Sequence, residues 1–262
     1  MGELKNLGIV LCLNGTPYQN KDWRWDLRAN IAWNKNEVTK LADGLDRLEH
    51  VGIDNGAAVL ESHVGESMGD WYAYTWKTDD KGNYIVGSNG LYITDTSTRH
   101  KVGNAMPDFT GGFGTSFSWK GLSITADFAW QAGKYMTNND NYFLKNANQG
   151  TAFNQAVDML NIWTKPGDIT DIPKYGEQVQ FDTHLLEDAS FLRMKNLIVQ
   201  YSFPEKWMKA TKGIQNAKVF FVGRNLFTAT KFSGYDPEPD INLVKFNYPN
   251  TRQFVFGMEL TF

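Results

Sequence analysis

The sequence has a single cysteine, Cys12. That excludes an internal disulfide framework and any cysteine-rich zinc site. It has no excess of basic charge: 26 Lys and Arg stand against 29 Asp and Glu, a net of −3. No phosphate-binding surface is expected, and nucleic acid is not expected as a partner. No run of about 18 apolar residues is present, which excludes a transmembrane helix. Met1 is followed at once by polar and charged residues, so no secretory leader is expected. The four histidines, His50, His63, His100 and His184, lie far apart in segments read as loops. None has the local partners of a triad or a zinc site, so no catalytic residue, metal or cofactor is expected. Gly111-Gly112-Phe113-Gly114 is glycine-rich but no helix follows it, so it presents no helix N-terminus to a phosphate.

What is abundant is aromatic: rings make up 14% of 262 residues, beside 24 glycines. The apolar residues repeat with a period of two, the signature of strands with one apolar face. Arg252, Phe254, Phe256, Met258, Leu260 and Phe262 share one face; Gln253, Val255, Gly257 and Glu259 share the other. Trp23, Trp25, Leu27, Ala29, Ile31 and Trp33 alternate with polar residues in the same way. Residues 3–14, 22–35, 109–119, 121–131, 190–203, 217–229 and 251–262 are read as strands. They are expected to form one consecutive antiparallel sheet with 3–14 and 251–262 at its edges.

Strands of this length suit a tilted membrane crossing of about 9–11 residues better than the usual soluble strand of about 5–6. Aromatics near the strand ends, such as Trp23, Trp33, Trp119 and Trp130, suit the two membrane–water boundaries. The connections alternate: short over 15–21, long over 35–108, a turn at Lys120-Gly121, long over 132–189, short over 204–216, longer over 231–250. Long connections all at one end are the asymmetry of an outer-membrane barrel. The fold is therefore read as all-β, an antiparallel transmembrane β-barrel segment.

The long connections read more coarsely. Trp71 to Trp76 and Tyr84 to Val86 suggest a small hairpin about Asp79 to Gly82, and 151–163 has helical spacing ended by Pro166, Gly167 and Pro173. Pro204 opens a short turn or helix. Trp71, Tyr72, Tyr74 and Trp76 are expected either to stack on sugar rings or to anchor a loop. Asp236, Glu238 and Asp240 place carboxylates two apart, but the two prolines between them favour a rigid turn over a calcium loop.

Several blocks carry a resemblance. They are Ala189-Ser190-Phe191-Leu192-Arg193-Met194-Lys195-Asn196, Tyr201-Ser202-Phe203-Pro204, Gly223-Arg224-Asn225-Leu226-Phe227-Thr228 and Ser233-Gly234-Tyr235-Asp236-Pro237-Glu238, before a last strand ending in Phe262. In order and spacing they resemble the C-terminal end of SusC/RagA-family TonB-dependent outer-membrane transporters of Bacteroidetes. Gly2 to Asn6, Asn34-Lys35-Asn36, Gly103-Asn104 and Trp163-Thr164 extend the resemblance over nearly the whole chain. It implies that residues 1–262 are the C-terminal part of a receptor barrel of 22 strands, an open curved sheet of about seven of them. The plug domain, the TonB-contacting segment and the N-terminal barrel strands then lie outside the chain.

The resemblance implies nutrient import of glycans or peptides across the outer membrane, with no enzymatic step. It implies a SusD-like surface lipoprotein, the TonB complex, outer-membrane lipid and the barrel-assembly machinery as partners. The expected substrate or lipoprotein contacts are Trp71, Tyr72, Tyr74, Trp76, Trp163, Tyr235 and Asp236. The expected assembly signal is Phe254, Phe256, Met258, Leu260 and Phe262. The alternative is a soluble carbohydrate-binding β-sandwich using Trp71 and Tyr74 as a stacking platform. It requires strand 109–119 to lie in a different sheet from 251–262.

Overall fold

A computed structural model describes residues 2–52, 58–88, 92–150, 152–166, 168, 170, 172, 174–176, 183–211, 213–239 and 247–262. In chain order the strands are β1 Glu3–Gln19, β2 Trp23–Lys40, β3 Arg47–Gly52, β4 Ala58–His63, β5 Asp70–Trp76, β6 Thr94–Asn104 and β7 Phe109–Trp119. They continue with β8 Leu122–Ala132, β9 Tyr135–Thr137, β10 Leu186–Asp188, β11 Phe191–Ser202, β12 Asn216–Arg224, β13 Thr228–Thr230 and β14 Gln253–Thr261. Two short helices, α1 Asn139–Leu144 and α2 Glu205–Met208, lie in connections. The large sheet runs β1-β2-β7-β8-β11-β12-β14, antiparallel at every step. β7 and β14 therefore lie in one sheet, as a barrel wall requires and the sandwich does not.

The register turns the sequence alternation into a continuous face. Trp25 pairs with Phe117, Phe117 with Ile124, Ile124 with Val199, Val199 with Phe221 and Phe221 with Phe256. Residues that pair directly across strands point to the same side. One side of the sheet thus carries an unbroken apolar row through six strands. Its two ends are open, Trp25 40% and Phe256 79% exposed, and the four residues between them are half-buried. At the short-turn end Trp23 stacks on Trp119, ring centroids 5.2 Å apart, with Phe117 beside them.

Local chemistry sets the turns and strand ends. Lys120 and Gly121 have φ of 43° and 93°, the left-handed pair that a two-residue hairpin needs. β1 and β2 outrun the expected 3–14 and 22–35: Pro17, read as part of a turn, sits in β1 beside a register shift between Gly15 and Tyr18. A proline is tolerated there because the ladder is already broken at that register shift. The expected strand 217–229 is two strands. Asn225 has φ 51°, and β12 and β13 each pair with a different half of β11.

The long connections hold more than a hairpin. The turn from Asp79 to Asn83 is present, with the Asp79 carboxylate accepting from the Lys81 and Asn83 amides. But β5 belongs to a second, four-stranded sheet, β3-β4-β5-β6. That sheet packs Ala58, Leu60, Trp71 and Ala73 against Ala105, just after β6, and Leu185, a water-excluding core of the ordinary kind. β9 and β10 pair beneath it. The helical spacing expected over 151–163 gives a single 3₁₀ turn, Val157–Asn161, with Leu160 88% exposed. Phe153 packs against Phe143 while Val157 and Leu160 stay exposed, and among the described residues of this connection the α-helix forms earlier, at Asn139–Leu144. Gly167 and Pro173 lie outside the described residues.

Candidate functional site

The polar face of the large sheet is built by the residues that alternate with the apolar row. Asn30, Gly112 and Ala129 pair across β2, β7 and β8, and Arg28, Gly114 and Asp127 pair one step along. Arg28 and Asp127 form an ion pair across the glycine between them. A Cβ on Gly114 would meet Asp127 Oδ1 at 2.5 Å and Arg28 Nε at 2.7 Å, so the glycine is what lets the two charges meet. A hollow of about 340 Å³ opens there, lined by Cys12, Asn14, Arg28, Asn30 and Asp127. Toward β14 the same face turns apolar: Ile198, Val222 and Val255 pair in one row, and the Phe220 ring lies against Gly257.

At the end bearing the long connections, residues 232–239 are tied down over this polar face. The Phe232 side chain is buried with Met136 and Ala189. Ser233 donates through its amide (2.6 Å) and hydroxyl (2.8 Å) to the Glu187 carboxylate, and Asn138 Nδ2 donates to the Ser233 hydroxyl at 2.9 Å. Arg193 Nη2 donates to Asp236 Oδ1 at 2.6 Å, with both side chains almost fully buried. Glu238 pairs with both Arg193 and Lys195. Lys134, itself buried, donates to the carbonyl of Pro239 at 2.7 Å. Burial alone pushes the Asp236 carboxyl up. The Arg193 guanidinium and the amides of Asn250 and Glu238 outweigh it and hold the group below its ordinary range.

The carboxylates read as a possible calcium loop are thus occupied by cations and amides of the chain itself. Among the described residues no group of His, Cys, Asp and Glu is placed to hold a metal. Asp240 lies outside the described residues.

The loop residues expected to meet substrate or lipoprotein divide by burial. Trp71 is 0% exposed and donates Nε1–H to the Tyr135 carbonyl at 3.2 Å. It is the centre of the small core, and the stacking platform with Tyr74 is therefore not available. Trp163 and Asp236 are likewise buried. Tyr72 is half-buried, its hydroxyl donating to Glu66, and burial together with that carboxylate pushes its pKa well up. Tyr74 lies under the Arg99 guanidinium, 5.7 Å from the ring centroid. Trp76 sits among Tyr84, Tyr92 and His184, with centroids 5.0, 4.3 and 5.4 Å away. Tyr235 alone stands well out, 64% exposed.

Sequence reasoning missed Arg193 and Lys134. Arg193 sits on the polar face, where any polar residue satisfies the alternation, Lys134 lies between β8 and β9, and their partners lie some 43 and 105 positions away in sequence. The expected assembly residues do share one face of β14: Phe256 packs on Phe221 at 4.9 Å, while Met258 pairs with Val219 and Leu260 with Ala217. Phe254, Phe256, Met258 and Phe262 are exposed; Leu260 is half-buried.

No family model matches the chain. Over its whole length it is 28% identical to the TonB-dependent receptor P3 of Formosa agariphila, covering 29% of that protein. It is 26% identical to the TonB-dependent receptor SusC of Bacteroides thetaiotaomicron, covering 27%. Among solved structures it is similar to the RagAB peptide importer in its closed-closed state, with a TM-score of 0.81 and 39% identity over 100% of this chain and 30% of that one. The RagAB peptide transporter gives 0.81 and 40% over the same shares. The chain therefore spans less than a third of the length of these relatives. The resemblance to the SusC/RagA type of TonB-dependent receptor holds in sequence and in fold, and the large sheet matches a segment of such a barrel.

Proposed function

We propose that this chain supplies wall and rim of an outer-membrane importer energised through TonB, with peptides as its cargo. The observation that carries the reading is the two-faced sheet. Its apolar row runs unbroken from Trp25 to Phe256, half-buried along its middle and open at both ends, so lipid is the medium that satisfies it. The face with Asn30, Arg28 and Asp127 then lines the lumen. The relatives bear the names of receptors and importers, and no covalent chemistry enters this account. Peptide is favoured over glycan as cargo because the solved structures at 39–40% identity are named for peptide import and transport.

On this reading residues 1–262 are one part of a larger receptor whose plug domain and remaining strands lie outside the chain. A SusD-like lipoprotein caps the loop rim, TonB engages the plug side, and the barrel-assembly machinery reads the β14 face ending in Phe262. The β3–β6 sheet and the ring group around Trp76 are the surface offered to the lipoprotein.

The test is made in the cell that expresses the full receptor. The protein should fractionate with the outer membrane, run as a heat-modifiable band, and support TonB-dependent uptake of labelled peptides. A receptor that partitions into the soluble fraction without detergent would sink the reading.

A further inference from the structure

The reading as an outer-membrane protein, on which this inference rests, leaves open which lipids the wall meets. On the apolar side of the large sheet Trp130 pairs with Leu192, and Leu192 with Ala229. The three side chains therefore stand in one row on that side. They lie at the end bearing the long connections. There they line a hollow of about 660 Å³ together with Phe113, Lys231 and Asp188. The wall is recessed where the small Ala229 follows Trp130 and Leu192 in the row. An open apolar recess on a face turned to the bilayer takes hydrocarbon rather than water.

The second observation is a pair of opposite charges in the same lining. Lys231 is exposed and precedes the strap of residues 232–239, whose first side chain, Phe232, is buried. Its backbone is thus anchored, while among the described residues its ammonium makes no hydrogen bond or ion pair. Asp188 ends β10 and accepts from the Ser190 amide at 2.9 Å, and no cation of the described residues pairs with it. The two charges therefore line one hollow without neutralising each other. A lysine at a membrane surface lays its stem on apolar surface and keeps its ammonium among the headgroups, where phosphate oxygens accept from it. A carboxylate beside it repels phosphate and attracts an ammonium. A headgroup that carries both charges meets both residues, whereas an anionic one meets Lys231 alone.

We infer that this hollow is a site for a zwitterionic phospholipid of the phosphatidylethanolamine kind. One acyl chain lies along Trp130, Leu192 and Ala229. The phosphate accepts from the Lys231 ammonium, and the headgroup ammonium donates to the Asp188 carboxylate. The apolar row holds the chain, and the two charges supply the choice of headgroup.

The experiment uses the full receptor in phosphatidylglycerol vesicles that carry a trace of one photoactivatable lipid. The probes share one acyl chain and differ in headgroup: phosphatidylethanolamine, phosphatidylglycerol and diacylglycerol. Crosslinks are mapped by mass spectrometry, and labelling at Leu192 is read against labelling at Phe256, which reports bulk lipid. That ratio should be about fivefold higher for phosphatidylethanolamine than for phosphatidylglycerol, and for phosphatidylglycerol about fivefold higher than for diacylglycerol, the size expected of one charge contact at a membrane surface. Asp188→Asn, whose amide oxygen can still accept from Ser190, should abolish the first difference, and Lys231→Gln the second. Ala229→Trp fills the hollow and should bring the three lipids to one ratio, with labelling at Phe256 and the heat-modifiable band unchanged. Equal ratios in the wild type, or differences that survive Asp188→Asn and Lys231→Gln, overturn the site and leave the membrane reading standing. A ratio highest for phosphatidylglycerol overturns the zwitterionic headgroup. A folded receptor labelled at neither Leu192 nor Phe256 overturns the membrane reading and the site with it.

Discussion

The two larger sheets among the described residues are built from the same kind of strand and stabilised in opposite ways. In the β3–β6 sheet the aromatic residue goes inside: Trp71 has no exposed surface, and small alanines at 58 and 73 let it pack. In the large sheet the aromatics go outside, where Phe254, Phe256 and Met258 are bare to the surroundings. The first sheet carries its own core. The second has an apolar face that only another phase can cover. Alternation with period two therefore says that a strand has two unlike faces, but the medium against each face is decided by what lies beyond the strand.

Substitutions that strike one sheet and spare the other sharpen this contrast. The largest effect is expected at Trp71. Trp71→Ala should cost about 3–5 kcal/mol of loop-sheet stability, read as rapid protease cleavage within residues 58–104 of the intact receptor, while the barrel band stays heat-modifiable. Loss of the barrel band as well would mean that the two regions are one cooperative unit. Next is Val199→Arg, a charge placed on the apolar row of a central strand. It should cost about 2–4 kcal/mol if that row meets the hydrocarbon, measured by urea unfolding in vesicles, with the loop sheet still resistant to protease. An effect below about 0.5 kcal/mol, the range for changes on a solvated surface, would remove lipid from that face.

Deletion of Phe262 should cost less in stability, of order 1.5–3 kcal/mol for one ring, yet lower outer-membrane levels markedly while synthesis and export persist. The mechanism expected is strand addition, in which an extended edge is read through its backbone and its alternate side chains. Normal surface levels would leave Phe262 as a lipid-facing ring and nothing more.

The smallest effect is expected with pH at the strap. The Asp236 carboxyl sits below its ordinary value of about 3.9. Its contribution to stability is therefore complete above that value and is lost as pH falls through the depressed one. Hydrogen-exchange protection of the Asn250 and Glu238 amides, which both donate to Asp236, should be flat from pH 7 to about 5 and decline only in stronger acid. A decline centred near pH 6 would assign the transition to another group.

Much of the large sheet was legible because its evidence is local. Strand 109–119 and strand 121–131 were readable from their own alternation and from Lys120-Gly121. The end of β1 was not, because Pro17 looks like part of a connection until the register shift beside it is known. The break at Asn225 was hidden because a left-handed asparagine leaves no trace in the apolar pattern. Among candidate contacts, residue type pointed to Trp71, Trp163, Asp236 and Tyr235 alike. Only Tyr235 is displayed, since burial depends on neighbours that arrive from distant parts of the chain.

What the sequence determined by itself is the set of long two-faced strands, their order in the sheet and the end at which the long connections lie. All of these follow from side-chain period and turn chemistry between neighbours in the chain. What only the tertiary structure decided is which aromatic ring becomes core and which stays bare, and that the Arg193–Asp236 pair ties a strap across the polar face. Those outcomes rest on contacts between residues far apart in sequence, such as Trp71 with Tyr135 and Arg193 with Asp236. No local pattern encodes them, because a buried charge or ring is stabilised by its partners and not by its own position along the strand.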